Sequence, residues 1–122
     1  MKVSVITCTY QRPKFLRRNI KSILDQTHQD WEQILVDDGS SPSAFEVVRN
    51  FSDKRIRYYR KKNTGYFDSL NFGLDKVSGE FVAFCDDDDN ILPHKLSLQV
   101  SFLAKHKLIG ACFSDQLMLR KE

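Results

Sequence analysis

The chain has 122 residues, 41% of them hydrophobic and 11% aromatic, which suits one folded domain and excludes disordered, collagen-like and fibrous classes. Its 19 basic and 16 acidic residues leave a net charge of +3, too small and too evenly mixed to suggest a nucleic-acid partner. Cys8, Cys85 and Cys112 form an odd set in or beside apolar runs, the pattern of reduced thiols in a cytoplasmic protein rather than a disulfide framework. No run approaches the ~20 apolar residues of a membrane span, so only peripheral contact with a membrane stays open.

Taken in order, residues 3–7 form a β-branched run that ends in Cys8-Thr9-Tyr10, and Pro13 follows where a first helical turn accepts it. Leu16, Ile20, Ile23 and Leu24 then make an apolar stripe opposite Arg17, Arg18 and Lys21, which predicts a helix lying on a sheet. Residues 31–36 read as the second strand, followed by the turn-rich stretch from Asp37-Asp38-Gly39 to Ser43 and a helix over 44–51. Residues 56–60 alternate apolar and basic residues as an edge strand does. The spacing of Phe67, Leu70, Leu74 and Val77 predicts a helix over 66–77, closed by Ser78-Gly79. The apolar run 81–85 is the next strand, Leu92, Leu96, Val100 and Leu103 predict a further helix, and 108–113 reads as a last strand.

Alternating strands and helices predict an α/β fold, a Rossmann-like three-layer sandwich with a mainly parallel sheet. Ligands of such sheets bind at the carboxyl ends of the strands. Three predicted strands end in polar residues, namely Cys8-Thr9-Tyr10, Asp37-Asp38 and Asp86 to Asp89, so one crevice can collect all of them.

The acid run carries the chemistry. Four adjacent carboxylates repel one another, and a cation offsets that cost. Oxygen-only ligands suit Mg²⁺ or Mn²⁺, and Mg²⁺ is commonly shared with substrate phosphates, so a phosphorylated ligand is implied. A solvated acidic turn is the plain alternative. An EF-hand is excluded, because Ile91 stands at the glycine position and Ser97 at the closing glutamate. Neither the dinucleotide fingerprint nor the P-loop occurs: Thr9-Tyr10-Gln11-Arg12-Pro13 fills the first strand-helix turn. Of the pair Asp37-Asp38, one can accept from a nucleobase while the other braces the turn. Tyr10 is either a strand-end aromatic or a stacking platform, and the basic group Arg55, Arg57, Arg60, Lys61 and Lys62 is either a solvated strand face or a phosphate contact.

The chain resembles the nucleotide-sugar-binding half of family 2 glycosyltransferases with the GT-A fold. The resemblance runs through the opening stretch to Arg12, Ser22-Ile23-Leu24-Asp25-Gln26-Thr27, Ile34-Leu35-Val36-Asp37-Asp38-Gly39-Ser40, Asn63-Thr64-Gly65 with Asn71-Phe72-Gly73, Gly79-Glu80-Phe81, and the acid run with Leu92-Pro93. It implies a metal-dependent, inverting transferase that moves a sugar from a nucleoside diphosphate, usually UDP, to an acceptor hydroxyl. It implies that Cys8 and Tyr10 line the base pocket, that Asp38 bonds the base, and that Thr9, Gly65 and Asn71 also belong to the nucleotide-sugar site. It also implies that Asp87 or Asp86 faces the ribose and that Asp88, with Asp86, binds Mn²⁺ or Mg²⁺.

Two departures follow. Leu70 stands where many relatives carry Arg, so the resemblance supplies no phosphate-binding cation there. The family's acceptor half, which supplies the catalytic base, is expected beyond Glu122; Asp115 does not match that base. Surfaces left bare by that half make a homodimer one expectation. A non-catalytic nucleotide-sugar binding module is the alternative reading.

Overall fold

The computed structural model describes residues 1–119. Four strands, β1 (Val3–Thr9), β2 (Trp31–Asp37), β3 (Ile56–Arg60) and β4 (Phe81–Phe84), form a parallel sheet in the order β3-β2-β1-β4. They alternate with α1 (Pro13–Leu24), α2 (Phe45–Val48), α3 (Tyr66–Leu74) and α4 (Lys95–Lys105), giving the α/β fold that the alternation predicts.

The pleat sorts the core into two faces. Val5, Gln33 and Leu35 face α1, α2 and α4, while Ile6, Cys8, Ile34 and Val36 face α3. Leu16, Ile20 and Ile23 of α1 are fully buried, and each such side chain stabilises the fold by about 1.5–3 kcal/mol relative to exposure. The central strands β1 and β2 are buried throughout, as a parallel sheet covered on both faces requires.

Three elements depart from the sequence reading. On α3, Phe67 is 78% exposed and Leu74 40%, while Ser69 and Gly73 are buried instead. The helix lies so close to the sheet that a Cβ on Gly73 would stand 2.8 Å from Ile6 Cγ2, so Ser69 and Gly73 make the closest approach while only Leu70 and Val77 of the expected stripe pack against the sheet. The helix expected over 44–51 shortens to four residues and continues as turns, with Phe51 N–H donating to the Val48 carbonyl at 2.9 Å. The strand expected over 108–113 is absent: Leu108 and Phe113 are almost fully exposed. It would have to pair with the outer edge of β4, where Val82 and Phe84 are themselves exposed, and a strand without a covering layer gains too little burial to form.

At the amino ends of the strands the charge is sealed. Buried Glu32 accepts from Ser4 Oγ (2.7 Å), the Ser78 backbone N–H (2.7 Å), Arg57 Nη1 (3.0 Å) and Lys2 Nζ (3.3 Å). Burial alone would raise its pKa, but the hydroxyl, amide and guanidinium donors outweigh it and hold the carboxyl down at about 2. A depressed folded-state pKa contributes stability that is complete above the unfolded value near 4.5 and is lost as pH falls toward 2, roughly 3 kcal/mol in all. Glu32→Gln is therefore expected to flatten the acid limb of the stability-pH curve in urea melts between pH 5 and 2. An acid limb as steep as wild type would assign that loss to other carboxylates.

Candidate functional site

From β1 the chain steps to β2 and β3 on one side, then crosses to place β4 on the other. The crevice of such a sheet opens at this reversal, beyond the carboxyl ends of β1 and β4. Thr9, Asp38 and the loop after β4 all arrive there.

The two acids after β2 divide their work. Asp37, fully buried, accepts from the Ser40 and Ala44 backbone N–H groups (both 2.9 Å) and from Tyr58 Oη (2.6 Å), so it braces the turn. Asp38 Oδ1 accepts from Lys61 Nζ (2.6 Å) and the Thr64 N–H (3.0 Å), and Oδ2 from the Gly65 N–H (3.0 Å). Gly65 meets this bond with φ of 105°, a conformation that side chains disfavour. Burial works against ionisation of Asp38, but these donors prevail and hold its carboxyl below the ordinary range. An ionised carboxylate offers about four acceptor sites, so Oδ2 has room for one more donor.

The acid run after β4 is not uniform. Asp87 turns inward, 5% exposed, and accepts from Thr9 Oγ1 at 2.8 Å. Burial lifts its pKa above the usual carboxylate value despite the opposing Thr9 hydroxyl and Arg12 guanidinium. Asp86, Asp88 and Asp89 are exposed, and each can bring an oxygen within 4.8 Å of the others. Tyr66 Oη donates to Asp86 Oδ1 at 2.5 Å, and burial followed by that bond raises the Tyr66 pKa. Burial, then the charges of Asp88 and Asp86, raise that of Asp89.

The shape of this loop is imposed from α1. Asn19, wholly buried within the apolar stripe, donates from Nδ2 to the carbonyls of Asp86 and Asp89, both at 2.9 Å. Its Oδ1 accepts from Gln33 Nε2 at 3.1 Å, which ties the loop to β2 as well. Gln26, seven residues on and just past the end of α1, holds the next segment in the same way, donating to the Leu92 carbonyl (2.7 Å) and accepting the Leu96 N–H (3.1 Å).

Cys8, Thr9, Tyr10, Asp38, Gly65, Asp86, Asp87 and Asp88 line one cavity of about 480 Å³. Asn71 lies exposed on α3 and is not among the lining residues. Cys8 is a neutral thiol, its pKa pushed to about 12 by burial and then by Asp86, Asp38 and Asp87. Tyr10 stands 47% exposed at the rim. The basic group divides into ion pairs: Arg55 with Asp53, Arg57 with Glu32, Arg60 near Asp37 and Lys61 with Asp38. Leu70 packs beside Ile6 and Val36 in the core.

Arg12, Tyr66, Ser69 and Asn63 also line the cavity and were not anticipated from sequence. Only Arg12 carried a cue, as a cation one residue before the helix. Asn19 carried another, an amide at i+3 from Leu16 on an otherwise apolar face.

A parallel α/β sheet with an acid-lined crevice at its reversal point defines a ligand-binding domain of the doubly wound kind. The family model described as "Glycosyl transferase family 2" matches residues 4–116, and the chain belongs to that family. It is 45% identical over 100 residues to a GalNAc(5)-diNAcBac-PP-undecaprenol beta-1,3-glucosyltransferase of Campylobacter jejuni, covering 79% of this chain and 32% of that protein. Its fold matches Staphylococcus aureus TarS 1–349 in complex with UDP-GlcNAc with a TM-score of 0.82 and 29% identity, over 88% of this chain and 32% of that one. It also matches the mannosyltransferase PcManGT of Pyrobaculum calidifontis in complex with GDP-Man and Mn²⁺, with a TM-score of 0.71 and 26% identity over 84% and 32% of the two chains. The chain spans 17% to 20% of the length of the first curated relatives it matches.

If Asn19 holds the loop, Asn19→Ala leaves the part-buried carbonyls of Asp86 and Asp89 and one N–H of Gln33 without this partner, and is expected to cost about 1–3 kcal/mol in chemical denaturation. A loss below about 0.5 kcal/mol would show that the loop keeps its shape without Asn19.

Proposed function

We propose that the crevice binds the donor of a glycosyltransferase, a UDP-sugar held with a divalent cation, and that the whole protein passes the sugar to an acceptor hydroxyl with inversion. The observation that carries this reading is the placement, in one cavity, of an anchored carboxylate with a spare acceptor site and a cluster of exposed carboxylates. The volume of about 480 Å³ lies within the usual range for small-molecule sites. Support also comes from the two structural neighbours, one in complex with UDP-GlcNAc and the other with GDP-Man and Mn²⁺.

In this reading Asp38 accepts an N–H from the base, its direction fixed by Lys61, Thr64 and Gly65, while Tyr10 offers the base a face at the rim. The uracil preference rests on the family resemblance and the TarS complex. Thr9 holds Asp87 inward as a wall beside the sugar-phosphate path. The oxygen-only set of Asp86, Asp88 and Asp89 fits Mg²⁺ or Mn²⁺. Such an ion offsets the charge that develops on a departing nucleoside diphosphate. Asn71 lies outside the cavity wall, and the general base is expected in the protein beyond this chain. No helix among the described residues is long and apolar enough to cross a membrane.

Asp88 is exposed and, among the described residues, its side chain accepts only from Arg12, so its removal spares the core. Asp88→Ala is expected to leave the melting temperature within a degree or so of wild type and to weaken metal-dependent UDP binding at least tenfold in calorimetry. Unchanged affinity with metal present would remove Asp88 from the site.

A further inference from the structure

Four consecutive carboxylates need counter-charge, and among the described residues one basic side chain lies within ion-pair distance of them. Arg12 Nη1 stands 3.0 Å from Asp88 Oδ2 and 3.4 Å from Asp87 Oδ1. Its placement is built into the backbone. Gln11, immediately before it, adopts φ of 57°, which non-glycine residues rarely accept. That residue is pinned on both sides, its N–H donating to Ser40 Oγ (3.0 Å) and its Oε1 accepting the Ser41 N–H (3.2 Å). The turn after β1 is thereby fastened to the turn after β2, and Arg12 leaves it pointing across the crevice mouth.

Asp88 is at once Arg12's closest carboxylate and a member of the oxygen cluster suited to a divalent cation. A guanidinium and a dication cannot share that carboxylate without strong repulsion at contact distance. The guanidinium is the partner free to leave: its side chain is 52% exposed and Asp88 46%, and the buried Asp87, its weaker partner at 3.4 Å, keeps the bond from Thr9 Oγ1 when it goes.

Resting on the donor-site reading above, we propose that Arg12 is the resident counter-ion of the acidic cluster, and that metal enters by exchange with its guanidinium. The pair keeps the carboxylates from repelling one another before a donor arrives, and it sets the affinity of the empty crevice for metal below that of the bare carboxylates. Arg12 is thus a positioning residue, acting through Asp88.

The test is Mn²⁺ binding in the absence of nucleotide, read from the electron paramagnetic resonance signal of free Mn²⁺, for wild type, Arg12→Gln, Arg12→Lys and Asp88→Asn. Arg12→Gln is expected to bind Mn²⁺ about two- to fivefold more tightly than wild type, the scale of an exposed ion pair, and Arg12→Lys to return toward wild type. Simple damage to the site would weaken binding, so the direction of change separates the two. Equal or weaker binding by Arg12→Gln, with Asp88→Asn still abolishing it, would overturn the exchange and leave the metal site standing. No Mn²⁺ binding by wild type or Arg12→Gln would overturn the metal site and the exchange together.

Discussion

The structure turns on one side-chain amide. Asn19 sits on the buried face of α1, where every neighbour in the stripe is apolar, and its two N–H groups hold the carbonyls of Asp86 and Asp89. A buried amide without partners costs several kcal/mol, so the residue is stable there only because the acidic loop closes over it. The dependence is mutual. The loop would otherwise be four repelling carboxylates at the end of a four-residue strand, with little to choose one conformation over another. By bonding the loop backbone, Asn19 leaves the carboxylate groups free to face the crevice, and Gln33 transmits the same constraint to the central sheet.

The two ends of the sheet handle negative charge in opposite ways, and the contrast separates structural from functional acids. Glu32 is saturated by hydroxyls, an amide and two cations, so it has nothing left to offer a ligand. Asp37 is fully buried beneath the turn it braces and lies outside the cavity wall, so it too has nothing to offer a ligand. Asp38 is held nearly as firmly but keeps a vacant acceptor position and faces the cavity, while of the exposed acids Asp86, Asp88 and Asp89 only Asp88 has an ion-pair partner among the described residues, the Arg12 guanidinium. Preorganisation without saturation is what a binding site requires, because donors fixed before the ligand arrives lower the cost of ordering it.

Strands and helices were legible because their patterns are local: β-branched runs bounded by turn residues, and stripes at helical spacing, report burial directly. The crevice was legible too, since three strands ending in polar residues can meet only at the carboxyl end of a parallel sheet. The buried face of α3 was legible only in part: Leu70 and Val77 pack on the sheet as their spacing predicts, but the closest approach falls to Ser69 and Gly73, which apolar spacing does not mark. The apolar run at 108–113 has the composition of a strand, but pairing is decided by the neighbouring edge and its cover, which composition does not encode. Arg12, Tyr66 and Asn19 escaped notice for a related reason: their partners lie 14 to 76 residues away, and long-range polar pairs leave little trace in spacing.

The account's central claim, that the crevice is a donor site for a uridine diphosphate sugar, is tested most directly by calorimetric titration of UDP into the protein with Mn²⁺ and again with chelator, then with GDP and ADP in place of UDP. The account predicts tight binding of UDP that requires metal and exceeds that of the purine nucleotides. Binding of no nucleotide, or binding indifferent to chelation and to the base, would contradict it.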